Sequence, residues 1–331
     1  APRRHGVRRA RPGRTADVKR LWRAEGAALG LIALIVVVLS FSGGSTLVKA
    51  SHTPGITVAF WRMVLCSGIW AVILRISEGR WLTLGDIRAA FVPGMLFGTN
   101  IAFFFTGVTR TSIATAEFTG ALSPMLVIPL GALIFKERVH LRALSFGAIS
   151  VVGLALVLFG APSAGEFSWT GEAWIIAANV LWAAYLLTSR SLRRGRSVAA
   201  IMAGIMPIAT IVTLPLGLFV FPGSLGQVTW RSVVFIVVLA ALTGTIAHGL
   251  MVFAQHSVPI GVISMLQLSQ PVLAVTWSLL FLGARVRPVQ VLGMALVMVG
   301  LVVMTLLTQR ASAQPGYTDS QPNGELGGTP G

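Results

Sequence analysis

The chain has 331 residues, of which 55% are hydrophobic and only 11% charged, and a formal net charge of +16. A soluble domain carries about a quarter charged residues, so most of this surface faces something other than water, and a water-soluble two-domain protein is excluded. The basic residues are scattered over short loops between apolar blocks and do not share one water-facing surface, which excludes nucleic acid as the expected partner.

The sequence opens on a basic tail, residues 1–27, with nine Lys or Arg between Arg3 and Arg23. Such a tail is expected in the cytoplasm against anionic lipid. Apolar blocks of about twenty residues follow, the length a helix needs to cross a bilayer. They predict an all-α membrane protein of ten helices, at 28–48, 56–76, 89–108, 112–135, 142–160, 169–189, 198–221, 232–254, 261–283 and 288–308. The first block runs past Leu39 to Val48 without a small-residue cleavage site, so a cleaved signal peptide is not expected. Trp22, Trp81, Trp169 and Trp230 fall at span ends, as an interfacial aromatic belt requires. Cys66 has no second cysteine to pair with and reads as a small core residue. The tail after Arg310 is rich in Gly, Pro, Ser and Gln, and residues 309–331 are expected to be disordered.

With the N-terminus inside, the cytoplasmic side holds 20 of the 26 Lys and Arg, and Arg62 lies within a span. The outer side holds Lys49, Arg110, Arg231, Arg285 and Arg287. That bias predicts cytoplasmic N- and C-termini in a plasma membrane, with the last hairpin, carrying Arg285 and Arg287, as the exception.

Two halves, 28–160 and 169–308, look alike at one offset. It pairs Pro124 with Pro271, Gly153 with Gly300, Arg138 with Arg285 and Val139 with Val286. The hairpin Phe135-Lys-Glu-Arg-Val139 thereby matches Leu282-Gly-Ala-Arg-Val286. Five spans per half is an odd number, so the second half is inverted relative to the first. Secondary transporters built this way carry their solute site near the midplane at the repeat interface.

These features together resemble the EamA-type branch of the drug/metabolite transporter superfamily. The resemblance rests on the ten spans in two five-span halves, on Ser123-Pro124 and Gln270-Pro271 in spans four and nine, and on the Glu-Arg hairpin after span four. Arg62 stands where that family often has an arginine in span two. The resemblance covers about residues 28–308 and implies a carrier of amino acids, other metabolites or drugs. Two departures stand out. Ala284 replaces the hairpin Glu in the second half, and span one lacks the acid of the small multidrug exporters, since Glu25 precedes it.

Ionisable groups inside a membrane are costly and are functional candidates by default. Arg62 and Glu117 both lie roughly 8–9 Å inside the outer ends of their spans, and opposite charge at equal depth makes them a candidate pair. Two readings stand: a structural salt bridge, with Arg62 alternatively snorkelling outward, or a Glu117 that exchanges Arg62 for a proton or a substrate amine. Glu117, Gly120, Ala121, Pro124 and Ile128 share one helical stripe, matched in span nine by Ser264, Gln267, Gln270, Pro271 and Ala274. Each proline removes a backbone donor and frees a carbonyl within the span, so spans four and nine are the expected lining of a central site. Asn100, Asn179 and His248 read either as bonds between helices or as solute contacts. Phe103, Phe104, Phe105, Trp182, Tyr185 and Trp277 read either as packing or as an aromatic pocket. Gly94 and Gly98 mark a close helix contact and leave a homodimer open.

No metal-ligand cluster, nucleophile–base set or Walker-type loop is present in the sequence, so neither enzyme, cofactor nor ATP hydrolysis is expected. The expected function is a secondary transporter, an exporter of a small metabolite such as an amino acid or drug-like solute, by alternating access. A channel or scaffold is the competing reading.

Overall fold

The computed structural model describes residues 13–126, 130, 133, 141–161, 167–192, 196–258, 263 and 266–312. Among them the chain is helical throughout its ordered elements. Helix α1 (Gly13–Ser42) runs into α2 (Gly44–Ala50) across a turn at Gly43. Then come α3 (Gly55–Glu78), α4 (Leu84–Val108), the short α5 (Ile113–Ala121), α6 (Leu141–Phe159) and α7 (Trp169–Leu192). The second part continues with α8 (Val198–Pro215), α9 (Trp230–Ala241), α10 (Ala247–Ser257), α11 (Gln270–Leu282) and α12 (Pro288–Ser312). Seven helical segments among the described residues are long and apolar enough to cross a membrane, the first being Ala28–Ala50. The predicted fourth and ninth spans lie partly outside the described residues, as do Ile128, Ser264 and the hairpin Phe135–Val139.

Large apolar side chains such as Ile32, Val72, Ile76, Phe91 and Val299 face outward, which suits contact with lipid chains. In such a solvent helices gain little from burying apolar area and associate by close packing and polar contacts. The structure uses both. A Cβ on Gly98 would stand 2.6 Å from Ala209 Cα, and one on Gly94 would stand 2.8 Å from Ile208 Cβ. The small-residue pair of α4 is therefore spent on α8 within this chain. Around it Met63, Trp70, Phe97, Ile205 and Met206 form the largest buried cluster.

Helices α6 and α12 meet with equal intimacy. A Cβ on Gly153 would stand 2.7 Å from both Gly293 O and Val297 N, and one on Gly300 would stand 2.7 Å from Phe146 O and 2.9 Å from Ser150 N. Between them Ser150 Oγ donates to Val297 O at 3.1 Å, and Gln290 Nε2 donates to Val157 O at 3.1 Å.

Polar clusters tie the bundle at both ends. At one end Asp86 accepts from Arg80 and from Arg196 at 2.7 Å each, and Glu78 accepts from Arg80 at 2.7 Å and from Ser197. The hydrogen bonds to Asp86 and Glu78 hold the Arg80 guanidinium above its ordinary pKa range. At the other end Lys49 Nζ donates to Thr111 O at 2.7 Å, Arg231 Nε to Ala50 O at 3.0 Å, and Thr57 Oγ1 to Ser224 O at 2.6 Å. Thr53 and Ser232 share a hydroxyl contact of 2.6 Å. Each cluster links a residue before 160 to one after 169.

One boundary moves. Helix α4 starts at Leu84 and not at 89, because Thr83 and Asp86 close a capping box: Thr83 Oγ1 accepts from Asp86 N at 3.2 Å, and Asp86 Oδ2 accepts from Thr83 N at 3.1 Å. A polar first turn is invisible to a search for apolar blocks, yet it satisfies helix donors that nothing else reaches.

Candidate functional site

The site begins where two helices break. Ser112 caps α5 by accepting from Thr115 N at 3.1 Å. The helix then stops at Ala121, with a turn at Leu122 before residues 123–126 resume. In the second half a turn at 268–269 precedes α11, and Ser269 is its N-cap with Pro271 in its first turn. Pro124 and Pro271 therefore stand just after breaks, where the missing N–H has no intrahelical partner to lose. A helix break thus lies two residues before each proline, at Leu122 and at Ser269.

Glu117, on α5, accepts a hydrogen bond from Ser45 Oγ on α2. This is the only hydrogen bond to its carboxylate among the described residues, and its side chain is only partly buried. Helix α5 also packs against α7 and α11, so the helix that carries Glu117 lies where the two parts of the chain meet.

Arg62 is elsewhere. It is 3% exposed, its Cζ lies 5.5 Å from the centroid of the Phe105 ring, and its Nε has no hydrogen-bond partner. The expected pairing with Glu117 is not made: no ion pair joins them among the described residues. Nor does Arg62 snorkel outward. Equal depth along two spans does not set the rotation of either helix, and rotation here turns Glu117 to α2 and Arg62 to α4.

The uncharged candidates divide. Asn100 Nδ2 donates to Ala178 O at 2.7 Å, and Asn179 Nδ2 donates to Thr119 O at 3.2 Å. Both are bonds between helices. His248 Nδ1 meets Thr243 O at 2.8 Å, and its ring packs edge-on against Phe41 at 5.3 Å and Phe97 at 6.3 Å. Phe97 continues to Tyr185 at 5.3 Å, and Tyr185 to Trp182 at 5.1 Å. One aromatic layer thus crosses α1, α10, α4 and α7. Beside it Trp277 Nε1 donates to Ser42 Oγ at 3.0 Å, and Gln267 Nε2 approaches Met251 Sδ at 3.7 Å. Gln270 opens α11, half-buried. Phe103 packs on Trp174 at 4.7 Å, away from that layer.

The carboxylate that sequence reasoning passed over is Glu172, fourth in α7 and 1% exposed. It accepts from Thr111 Oγ1 at 2.9 Å and from Thr119 Oγ1 at 3.0 Å, and Thr115 Oγ1 lies 3.2 Å from Thr111 Oγ1. The signal was there: threonines at 111, 115 and 119 form one stripe, on the opposite face of the helix from Glu117. Also unanticipated is the widening of the eighth span, where Leu242–Ile246 takes the wider i→i+5 bonding of a π-turn. Such turns are frequent at functional sites. Trp70 Nε1 donates to Gly244 O in it at 2.9 Å.

The chain matches the EamA-like transporter family twice, over residues 28–159 and 169–306. The threonine/homoserine exporter RhtA of Escherichia coli (strain K12) is 26% identical over 297 residues, covering 86% of this chain and 94% of that protein. RhtA of Salmonella typhimurium (strain LT2) is 25% identical over 85% of this chain and 93% of its own length. The uncharacterized transporter YxxF of Bacillus subtilis is 21% identical, covering 86% and 91% respectively. A solved crystal structure superposes with a TM-score of 0.61 at 18% identity, over 88% of this chain and 99% of that one. It is similar in fold.

Proposed function

The chain belongs to the EamA-like transporter family, and from that premise we propose that it exports small amino acids, threonine and homoserine among them, across the plasma membrane by alternating access. It is a multi-pass membrane transporter and not an enzyme. The substrate reading takes its support from the RhtA exporters, whose length it covers almost entirely.

The observation that carries the site is Glu117: a half-buried glutamate beside a helix break, with one hydroxyl as its carboxylate's partner among the described residues. A carboxylate has several acceptor positions, and a substrate ammonium fills those that Ser45 leaves. The aromatic layer of Phe41, Phe97, Trp182, Tyr185 and His248 supplies an apolar wall, the usual composition of a small-molecule site. Asn100 and Asn179 hold helices; Gln267, Gln270 and Trp277 line the second-half side.

The architecture proposed is ten spans in two inverted five-helix repeats, 28–160 and 169–308, between a basic N-terminal tail and a short C-terminal one, both cytoplasmic. The two family matches support it, and so does the reciprocity of α6 and α12. Gly153 against Gly293 and Val297 becomes Gly300 against Phe146 and Ser150 when the halves exchange, and Ser150 bonds the residue 147 positions on. The turns at Leu122 and Ser269 obey the same offset. Two similar halves supply two similar gates, and the polar clusters at the two ends are proposed as those gates. Without a nucleotide-binding loop the driving force is a gradient.

The test is counterflow of labelled threonine into proteoliposomes loaded with unlabelled threonine. Saturable exchange is expected. Non-saturating flux would replace the carrier by a channel, and no exchange of any amino acid by folded, inserted protein would end the substrate reading.

A further inference from the structure

We propose that Arg62 receives the carboxylate of the transported amino acid, an inference that rests on the substrate reading above. The chain has three buried side-chain polar atoms without a hydrogen-bond partner among its described residues: Thr46 Oγ1, Arg62 Nε and Thr106 Oγ1. Native proteins leave very few such atoms. These three are carried by α2, α3 and α4, helices that touch one another pairwise. The two hydroxyls can donate or accept, whereas Arg62 Nε can only donate, so what the guanidinium lacks is an acceptor. A carboxylate only accepts, and a guanidinium is the side chain whose fork matches it with two parallel bonds.

The surroundings supply Arg62 Nε with no acceptor among the described residues. Phe105 lies against the guanidinium, and a cation over an aromatic face gains some attraction without filling its N–H donors. Opposite stands the widened turn Leu242–Ile246. There Gly244 has no side chain, and a Cβ built on it would come within 3.6 Å of Arg62 Nε and would strike Cys66 Sγ. Gly44, beside Ser45 and Thr46, lies against Thr243 of the same turn, 3.6 Å from its methyl group if given a Cβ. Helix α2 thus touches both poles: Ser45 bonds Glu117, and Thr46 is unsatisfied among the elements that hold Arg62. A charge buried in a membrane protein without a counter-charge is a large cost. The carboxylate of a transported amino acid would offset that cost.

The experiment measures threonine counterflow and its competition by threonine or by its amino alcohol, which keeps the ammonium and lacks the carboxylate. Wild type is expected to prefer threonine at least about tenfold, the effect of one charge-assisted bond. Arg62→Gln is expected to raise the KM for threonine about tenfold or more and to leave inhibition by the amino alcohol unchanged, so the preference disappears. Arg62→Lys, which keeps the charge and loses the fork, is expected to fall between them. Folded Arg62→Gln with wild-type preference overturns the inference while leaving the substrate reading intact. If only Arg62→Lys is recovered folded, an unchanged KM overturns it and a raised KM with unchanged amino-alcohol inhibition supports it. Failure of both variants to fold also overturns it, because it makes Arg62 part of the scaffold. Wild type that exchanges no amino acid ends the substrate reading and this inference together.

Discussion

Two carboxylates flank the short helix α5, and their surroundings differ. Glu172 is 1% exposed and accepts from Thr111, in the turn before the helix, and from Thr119 on it. Glu117, on the opposite face of α5, is partly exposed and accepts from Ser45. Both are acids inside a membrane protein, so cost of burial alone does not separate them. Acceptor capacity does. A carboxylate whose oxygens are each held by a fixed donor belongs to the scaffold, whereas one with open positions beside a helix break can take a ligand and release it. In Glu172 the acid arrives from α7 and the hydroxyls from α5 and the turn before it; in Glu117 the acid arrives from α5. The short helix is thus fixed on one side and responsive on the other.

The largest effect should come from removing the responsive charge. Glu117→Gln keeps shape and polarity but loses the attraction for an ammonium, and bonds to charged groups are worth about 1.5–3 kcal/mol, so threonine counterflow should fall by ~10–100-fold. The melting temperature in detergent should hardly move. Wild-type counterflow at every pH would dissolve the distinction between the two acids. Glu172→Ala should do the reverse. It strands buried hydroxyls, at about 1–3 kcal/mol, read as a lower midpoint of unfolding. The KM for threonine of the folded fraction should stay as it is. A raised KM would move Glu172 into the site.

The contrast was half legible in the sequence. Glu117 and Arg62 stand out because charge inside an apolar block is conspicuous. Glu172 does not, since it lies in the first turn of its span, where a carboxylate is ordinary, and its partners are neutral threonines. The spans themselves were legible because twenty apolar residues have few alternatives, and α3, α7, α8 and α12 lie close to their expected places. What the pattern does not carry is rotation about each helix axis. That rotation decided against an Arg62–Glu117 pair and gave each residue separate surroundings. The widened turn in the eighth span was equally hidden, because Leu242-Thr-Gly-Thr-Ile246 lies inside an apolar block whose hydropathy does not report the hydrogen-bonding pattern.

A third acid sharpens the rule in water. Asp86 is held by Arg80, Arg196 and Thr83 at one end of the bundle, with the arginines 38% and 35% exposed. Exposed partners are screened, and such pairs contribute at most about 1 kcal/mol each. Asp86→Asn should therefore lower stability by about 1 kcal/mol at low salt and by less as salt rises. If that cluster is a gate, the turnover rate should change and the KM should not. A salt-independent loss of several kcal/mol would place Asp86 with Glu172.

The smallest effect, and the finest test, is at Ser45. Its hydroxyl occupies one acceptor position of Glu117. If a substrate ammonium competes for that carboxylate, Ser45→Ala removes a competitor as well as a neighbour. The two consequences oppose each other, because the lost bond leaves Glu117 less satisfied at rest while the vacated position is open to the ligand. A neutral hydrogen bond contributes about 0.5–1.5 kcal/mol net, so the KM for threonine should change by no more than about threefold, and downward if competition dominates. The KM is measured by counterflow beside Glu117→Gln. An effect as large as that of Glu117→Gln would mean that Ser45 and Glu117 act as one unit. The responsive face of α5 would then depend on the break between α1 and α2 as much as on its own.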